Sequence, residues 1–135
     1  MSAAYKIGLV AVACVAMGAL GSEALHSQQG PPAFLIAQID VSDPDGYAKE
    51  YLSKAREIIK AHGGRLLAAG GSAGGSKVVA VDGAAPKRVV IYEYPNMQAL
   101  LAWRNDPAYV QVRRVGERYA TYHTFAVEGA PSRSP

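Results

Sequence analysis

One cysteine, Cys14, occurs in 135 residues, and it falls within an apolar leader. The folded part of the chain therefore has no disulfide, no thiolate nucleophile and no cysteine metal site. Histidine is scarce as well. His26, His62 and His123 are scattered without an H-x-x-x-H spacing, so no metal is expected. Charge of one sign is lacking: Lys and Arg total 14 against 11 Asp and Glu, a mild balance of +3, and no run collects five or six like charges. Nucleic acid is thereby excluded as a partner, and Arg113, Arg114 and Arg118 read as a solvated helix face. No Gly-x-Ser-x-Gly element, Cys/His pair or haem-attachment motif is present, and no cofactor is expected.

Long hydrophobic runs are limited to one. Residues 7–21, IGLVAVACVAMGALG, are apolar throughout, but the run is shorter than the ~20 residues a membrane span needs. It suits the apolar core of a secretory signal, with small residues for cleavage after Ala24 or after Ser27. Residues 1–27 are read as a signal peptide, which sends the protein to the periplasm or outside the cell. An uncleaved membrane anchor is the alternative, and it would be the chain's only membrane contact. Residues 28–32 form a linker, 33–129 one folded domain, and 130–135 a flexible tail.

Glycine is concentrated in GGSAGGSK (70–77), which invites comparison with a phosphate-binding loop. Such a loop requires Lys before Ser or Thr, and a helix after it whose free N–H groups hold the phosphate. Here Ser76 precedes Lys77, and the VVAV that follows reads as strand. Both requirements fail. The segment is a connection whose turns need positive backbone angles, with a flap over a cavity as a further use.

The remaining pattern alternates strands with helices. AFLIAQIDV (33–41) is a strand, with Leu35, Ala37, Ile39 and Val41 on one face. Residues 42–64 form a helix, capped by Ser42 or Asp43, opened by Pro44 and stopped by Gly63. Its apolar face carries Tyr47, Tyr51, Ala55, Ile58, Ile59 and His62. RLLAAGG (65–71) is a short strand, KVVAVDG (77–83) alternates like one, and KRVVIYEYP (87–95) is the best strand of the chain. Residues 96–120 are helical, capped by Asn96 and divided at Pro107, and TYHTFAVEG (121–129) is the last strand. The fold class is α+β: a ferredoxin-like βαββαβ antiparallel sheet with both helices on one face.

The strand at 88–94 also predicts a partner. Val89 and Ile91 point one way, and Val90, Tyr92 and Tyr94 the other. An antiparallel sheet with one wet face alternates apolar and polar residues, and this strand does not. A second copy of the chain is the economical cover, with two sheets face to face around a shared interior. A homodimer is expected.

AFLIAQIDVSDPDGYAKEY, AHGGRLLAAGG, KRVVIYEYPNMQALLAWRNDPAYVQVR and FAVEG, in this order, resemble the domain-of-unknown-function 1330 family over residues 33–129. The resemblance implies a dimeric α/β-barrel and no particular reaction, since relatives of that architecture include cofactor-free oxygenases, isomerases, haem-degrading enzymes and stress-response proteins. The chain departs from the pattern at Ala69, where the family often has arginine, and at Arg104, where it often has an aromatic.

Candidate chemistry rests on few residues. His62 is either a general base at a cavity rim or a cap on helix carbonyls. Glu93 shares a face with Val89 and Ile91, so it is either a proton-trading carboxylate or half of a salt bridge. With Asp40 these form the candidate acid/base set. Tyr92, Trp103, Tyr109 and His123 are candidate ligand contacts, the aromatic ones serving equally as packing. Function is read as the binding of a small, apolar or aromatic molecule. The alternatives are a cofactor-free oxygenase or isomerase with a carboxylate or histidine base, and a non-catalytic structural or stress-response dimer.

Overall fold

The computed structural model describes residues 30–72 and 74–131. The leader with Cys14 and His26, Gln28 and Gln29 of the linker, Ala73 of the glycine-rich segment and residues 132–135 of the tail lie outside them.

Four antiparallel strands form one sheet: β1 (Ala33–Val41), β2 (Arg65–Gly71), β3 (Arg88–Tyr94) and β4 (Ala120–Glu128), in spatial order β2-β3-β1-β4. Two helical layers connect them. The first, α1, begins as Pro44–Gly46, passes through a π-helical stretch Tyr47–Leu52 and continues as Ser53–Ala61. The second is split into α2 (Met97–Asn105) and α3 (Pro107–Gly116). This is the ferredoxin-like arrangement expected from the sequence.

The helix ends follow local chemistry. Asp43, rather than Ser42, caps α1, its carboxylate accepting from the Gly46 N–H at 3.1 Å, while the Ser42 hydroxyl donates to the Tyr119 carbonyl. Gly63, at φ +83°, takes the left-handed conformation that ends α1. The Asn96 side chain accepts from the Ala99 N–H at 2.8 Å, and Asp106 does the same for Ala108 at 2.8 Å, ahead of Pro107.

Register fixes the two sheet faces. Leu35 pairs with Tyr92 and with Ala126, and Ile39 with Arg88 and with Tyr122. These residues point toward the helices. Ile36 pairs with Ile91 and with Phe125, and all three point away. The core lies on the helix side, where Leu35, Ile39, Tyr51, Ile59, Val90, Leu100, Trp103 and Tyr109 are buried. The far face holds Phe34, Ile36, Val89 and Ile91, and Phe125 and Val127 there are 46% and 50% exposed. Its centre is apolar, with Gln38, Asp40, Glu93 and His123 toward its ends, and no other described element covers it.

The structure corrects the expectation of strand pairing at 77–83. Apart from one parallel bridge between Gly70 and Ser76, this segment joins no ladder, and Val81 is 89% exposed. Gly71, at φ +94°, turns the chain out of β2, and the return is limited to Ser76, bonded to the Ala69 and Gly71 backbone, with Val78 lying against Gly70 where a side chain would stand.

Gly116, at the end of α3, is where that helix meets the aromatic core. A Cβ there would collide with the Tyr122 hydroxyl and the Tyr51 ring. Gly116→Ala is expected to lower unfolding stability by about 1–3 kcal/mol, as overpacking does. Denaturant titration measures it, and an unchanged midpoint contradicts this packing.

Candidate functional site

Between the sheet and its helices lies a cavity of about 50 Å³. By the usual allowance per water that is room for about four solvent molecules. Its apolar wall comes from Leu35, Ala37, Ile39, Ala55, Ile59 and Val90. Leu52, Leu66, Ala69 and Thr124 also reach it, and the polar part of the lining is phenol, indole and guanidinium: Tyr47, Tyr51, Tyr92, Trp103, Tyr109, Tyr122, Arg56, Arg88 and Arg113.

Several local features aim these groups inward. The π-helical stretch of α1 carries both Tyr47 and Tyr51, which are buried with ring centroids 5.0 Å apart. Such stretches recur at functional sites. On β2, the register slips between Leu66 and Ala68, an extra residue at Leu67. The bulge puts Leu66 and Ala69, three residues apart, on the same face, and both line the cavity. Ala69 therefore occupies a wall position, without the arginine common in the resembling family.

The aromatic groups form a connected set. Tyr51 and Tyr109 share a hydrogen bond between their hydroxyls at 3.2 Å. Tyr109 packs on Trp103 at 4.3 Å, and Trp103 on Tyr94 at 5.8 Å. Trp103 is 2% exposed, and its Nε1 has no hydrogen-bond acceptor among the described residues. Arg113 lies 3.6 Å over the Tyr122 ring, a cation–π contact, while its Nε donates to Glu117 at 3.2 Å. This corrects the reading of Arg113 as part of a solvated helix face: its side chain is 15% exposed because it is folded onto an aromatic ring.

Burial sets the protonation of the phenols. It raises Tyr47, Tyr51, Tyr92, Tyr94 and Tyr122 above the ordinary value of 10.0, with the Tyr109 phenol adding to the rise in each. All five are neutral near pH 7 and act as hydrogen-bond partners, not as bases.

Tyr92, Trp103 and Tyr109 thus stand together on the cavity wall. The other candidates do not join them. Asp40 pairs with Lys87 at 2.7 Å, Glu93 with Arg65 at 2.5 Å, and His62 Nε2 is hydrogen-bonded to Asp106 at 2.8 Å, in three separate contacts. None of the three lines this cavity. His62 bridges the end of α1 to the carboxylate that also caps α3, and its hydrogen bond holds the Asp106 carboxyl below its usual value of 3.8, helped by the Ala108 N–H. Glu93 and His123 lie on the open face, His123 beside Phe125 at 5.8 Å and in a shallow cleft with Asp40 and Lys87. This partly open space is on the helix side of the sheet, opposite the face where a shared interior was expected.

Sequence reasoning passed over Tyr47, Tyr51, Tyr122, Arg56, Arg88 and Arg113 as cavity groups. Tyr47 and Tyr51 were visible as part of the apolar helix face, and Tyr122 as a residue of the last strand. The signal unused was their number at one layer, since buried hydroxyls need partners.

With this geometry in view, the chain proves to be a member of a family defined only as a domain of unknown function (DUF1330), whose model matches residues 32–130. Solved structures share the ferredoxin-like α/β fold. The RPA0582 protein of unknown function from Rhodopseudomonas palustris is 13% identical, with 84% of this chain and 95% of that one aligned at a TM-score of 0.59. Its methylated form gives 15%, 87%, 96% and 0.57 for the same quantities. SnoaB, a cofactor-independent oxygenase from Streptomyces nogalater, is 7% identical over 78% of this chain and 100% of that one, at 0.54. No curated protein matches the chain.

The phenols also set the alkaline behaviour. A raised folded value means that stability is intact below about pH 10 and is lost as pH climbs toward the folded values, because the unfolded chain ionises first. Phenolate absorbance from Tyr47, Tyr51, Tyr92, Tyr94 and Tyr122 should therefore appear together with unfolding. Their smooth titration near pH 10 in a chain that stays folded contradicts the packing described.

Proposed function

We propose that each chain binds one small molecule with an apolar or aromatic body in the cavity between sheet and helices, and that two chains pair through their open sheet faces. One observation carries the first part: a partly open space walled by aliphatic side chains and bounded by phenols and an indole. Ligand sites are mostly apolar with a few placed polar groups. The second part draws on Phe34, Ile36, Val89, Ile91, Phe125 and Val127, a contiguous apolar surface of the kind that marks an interface. Export through the leader completes the reading, with membrane anchoring as its alternative.

A cofactor-free oxygenase is the second reading. SnoaB, which shares the fold, has that activity. Among the described residues no carboxylate or histidine lines the cavity, so the substrate would have to be acidic enough to ionise without a strong base, with guanidinium and phenol groups holding the resulting oxyanion.

One experiment with two readouts tests the proposal. The leaderless chain and its Ile91→Lys variant are sedimented and screened by ligand-observed NMR against single-ring fragments. The parent is expected to be a dimer that binds fragments, and Ile91→Lys a folded monomer. A parent that is monomeric at micromolar concentration contradicts the pairing. A screen without binders contradicts the ligand site.

A further inference from the structure

The indole of Trp103 is a hydrogen-bond donor with nothing to donate to. Its side chain forms part of the cavity wall and the residue is 2% exposed, yet Nε1 has no acceptor among the described residues. An indole nitrogen donates and does not accept, so only a lone pair brought to it can meet its requirement. The aromatic neighbour does not supply one. Tyr109 packs on the indole at 4.3 Å, but its hydroxyl is bonded to that of Tyr51 at 3.2 Å. Two hydroxyls joined by one bond use one of their two hydrogens, and the other is left over from that bond. Hydrogens are thus in good supply at this wall, and among the described residues no carboxylate, imidazole or side-chain amide lines the cavity to receive them.

Exposure gives the cavity a direction. Leu66, 47% exposed, and the exposed Arg56 line its open side, whereas Trp103 and Tyr109, each 2% exposed, line its depth. Leu35, Ile59 and Val90 add a buried aliphatic wall. A molecule that fills this space therefore meets apolar side chains along its body and an unanswered donor in the wall.

We infer that the ligand of this cavity is a small carbonyl compound, a cyclic ketone or an aldehyde, whose oxygen accepts a hydrogen bond from Trp103 Nε1 while its hydrocarbon body lies against Leu35, Ile59 and Val90. This rests on the small-molecule reading above and adds the functional group and its contact. A carbonyl oxygen fits because it accepts without bringing a hydrogen of its own to a wall already supplied with donors. Burying it also costs far less than burying a charge. Pairing a buried donor that otherwise goes unpaired is the source of the selectivity.

Cyclohexanone and methylenecyclohexane have nearly the same shape and differ in whether an oxygen or a CH2 stands on the ring. Trp103 is the only tryptophan, so its indole N–H gives a single resonance in the 15N-labelled folded protein. Neither probe has an aromatic ring, so neither shifts that resonance through a ring current of its own. Cyclohexanone is expected to move the indole N–H downfield as it binds, and methylenecyclohexane to bind without doing so. Trp103→Phe, which keeps an aromatic ring and removes the donor, should reduce the ratio of ketone to alkene affinity about fivefold, the usual worth of one neutral hydrogen bond. The parent resonance gives the answer even if that variant fails to fold. Binding of both probes with the same indole shift overturns the inference and leaves the small-molecule reading standing. An unchanged affinity ratio in folded Trp103→Phe overturns the assignment to Nε1. Binding of neither probe overturns the inference, and the fragment screen then decides the small-molecule reading by itself.

Discussion

Phenols are buried in numbers only where their hydroxyls have something to do, and that constraint shapes the inner face of this sheet. A hydroxyl taken from water without a partner costs about 1–3 kcal/mol. Tyr51 and Tyr109 meet the requirement by bonding to each other across the helical layer. The Tyr94 hydroxyl and Trp103 Nε1 have no acceptor among the described residues. A core built only for stability would use leucine or phenylalanine at such positions. Apart from Tyr94, the polar edges are instead gathered around one small space, next to a π-helical stretch and a β-bulge that turn side chains into it. Local irregularity and buried polarity occur at the same place, as expected where a fold departs from consistency for the sake of a site.

The sheet separates two kinds of apolar surface. Toward the helices, side chains interlock around the cavity, and Gly116 is needed for α3 to come close enough to Tyr51 and Tyr122. Away from them, Ile36, Ile91 and Phe125 stand in register across three strands, and no other described element lies above them. The two faces thus support separate proposals, ligand on one side and a second copy on the other. The polar contacts of Asp40, Glu93 and His62 lie outside the cavity and serve to tie elements together: β1 to the loop before β3, β2 to β3, and α1 to the start of α3.

Much of the fold was legible because its signals are local. The Asn96 cap, the break at Pro107, the stop at Gly63 and the alternation of β1 each depend on a few neighbouring residues, and each appears in the structure. The unpolar far face was legible from Val89 and Ile91 by counting alone. The cavity was not. Its arginines come from α1, β3 and α3, so only tertiary packing unites them. The bulge at Leu67 breaks the two-residue period that would have set Leu66 and Ala69 on opposite faces. The alternation at 77–83 misled in the other direction, because pattern cannot supply a neighbouring strand for the segment to join.

The central claim is that the ligand space lies inside one chain, on the helix side of the sheet. Methyl NMR of the folded protein, titrated with a single-ring ligand, tests it most directly. The resonances of Leu35, Ala55, Ile59 and Val90 are predicted to shift, while those of Ile36, Ile91 and Val127 remain in place. Shifts confined to the second group, or none at saturating ligand, would contradict the account.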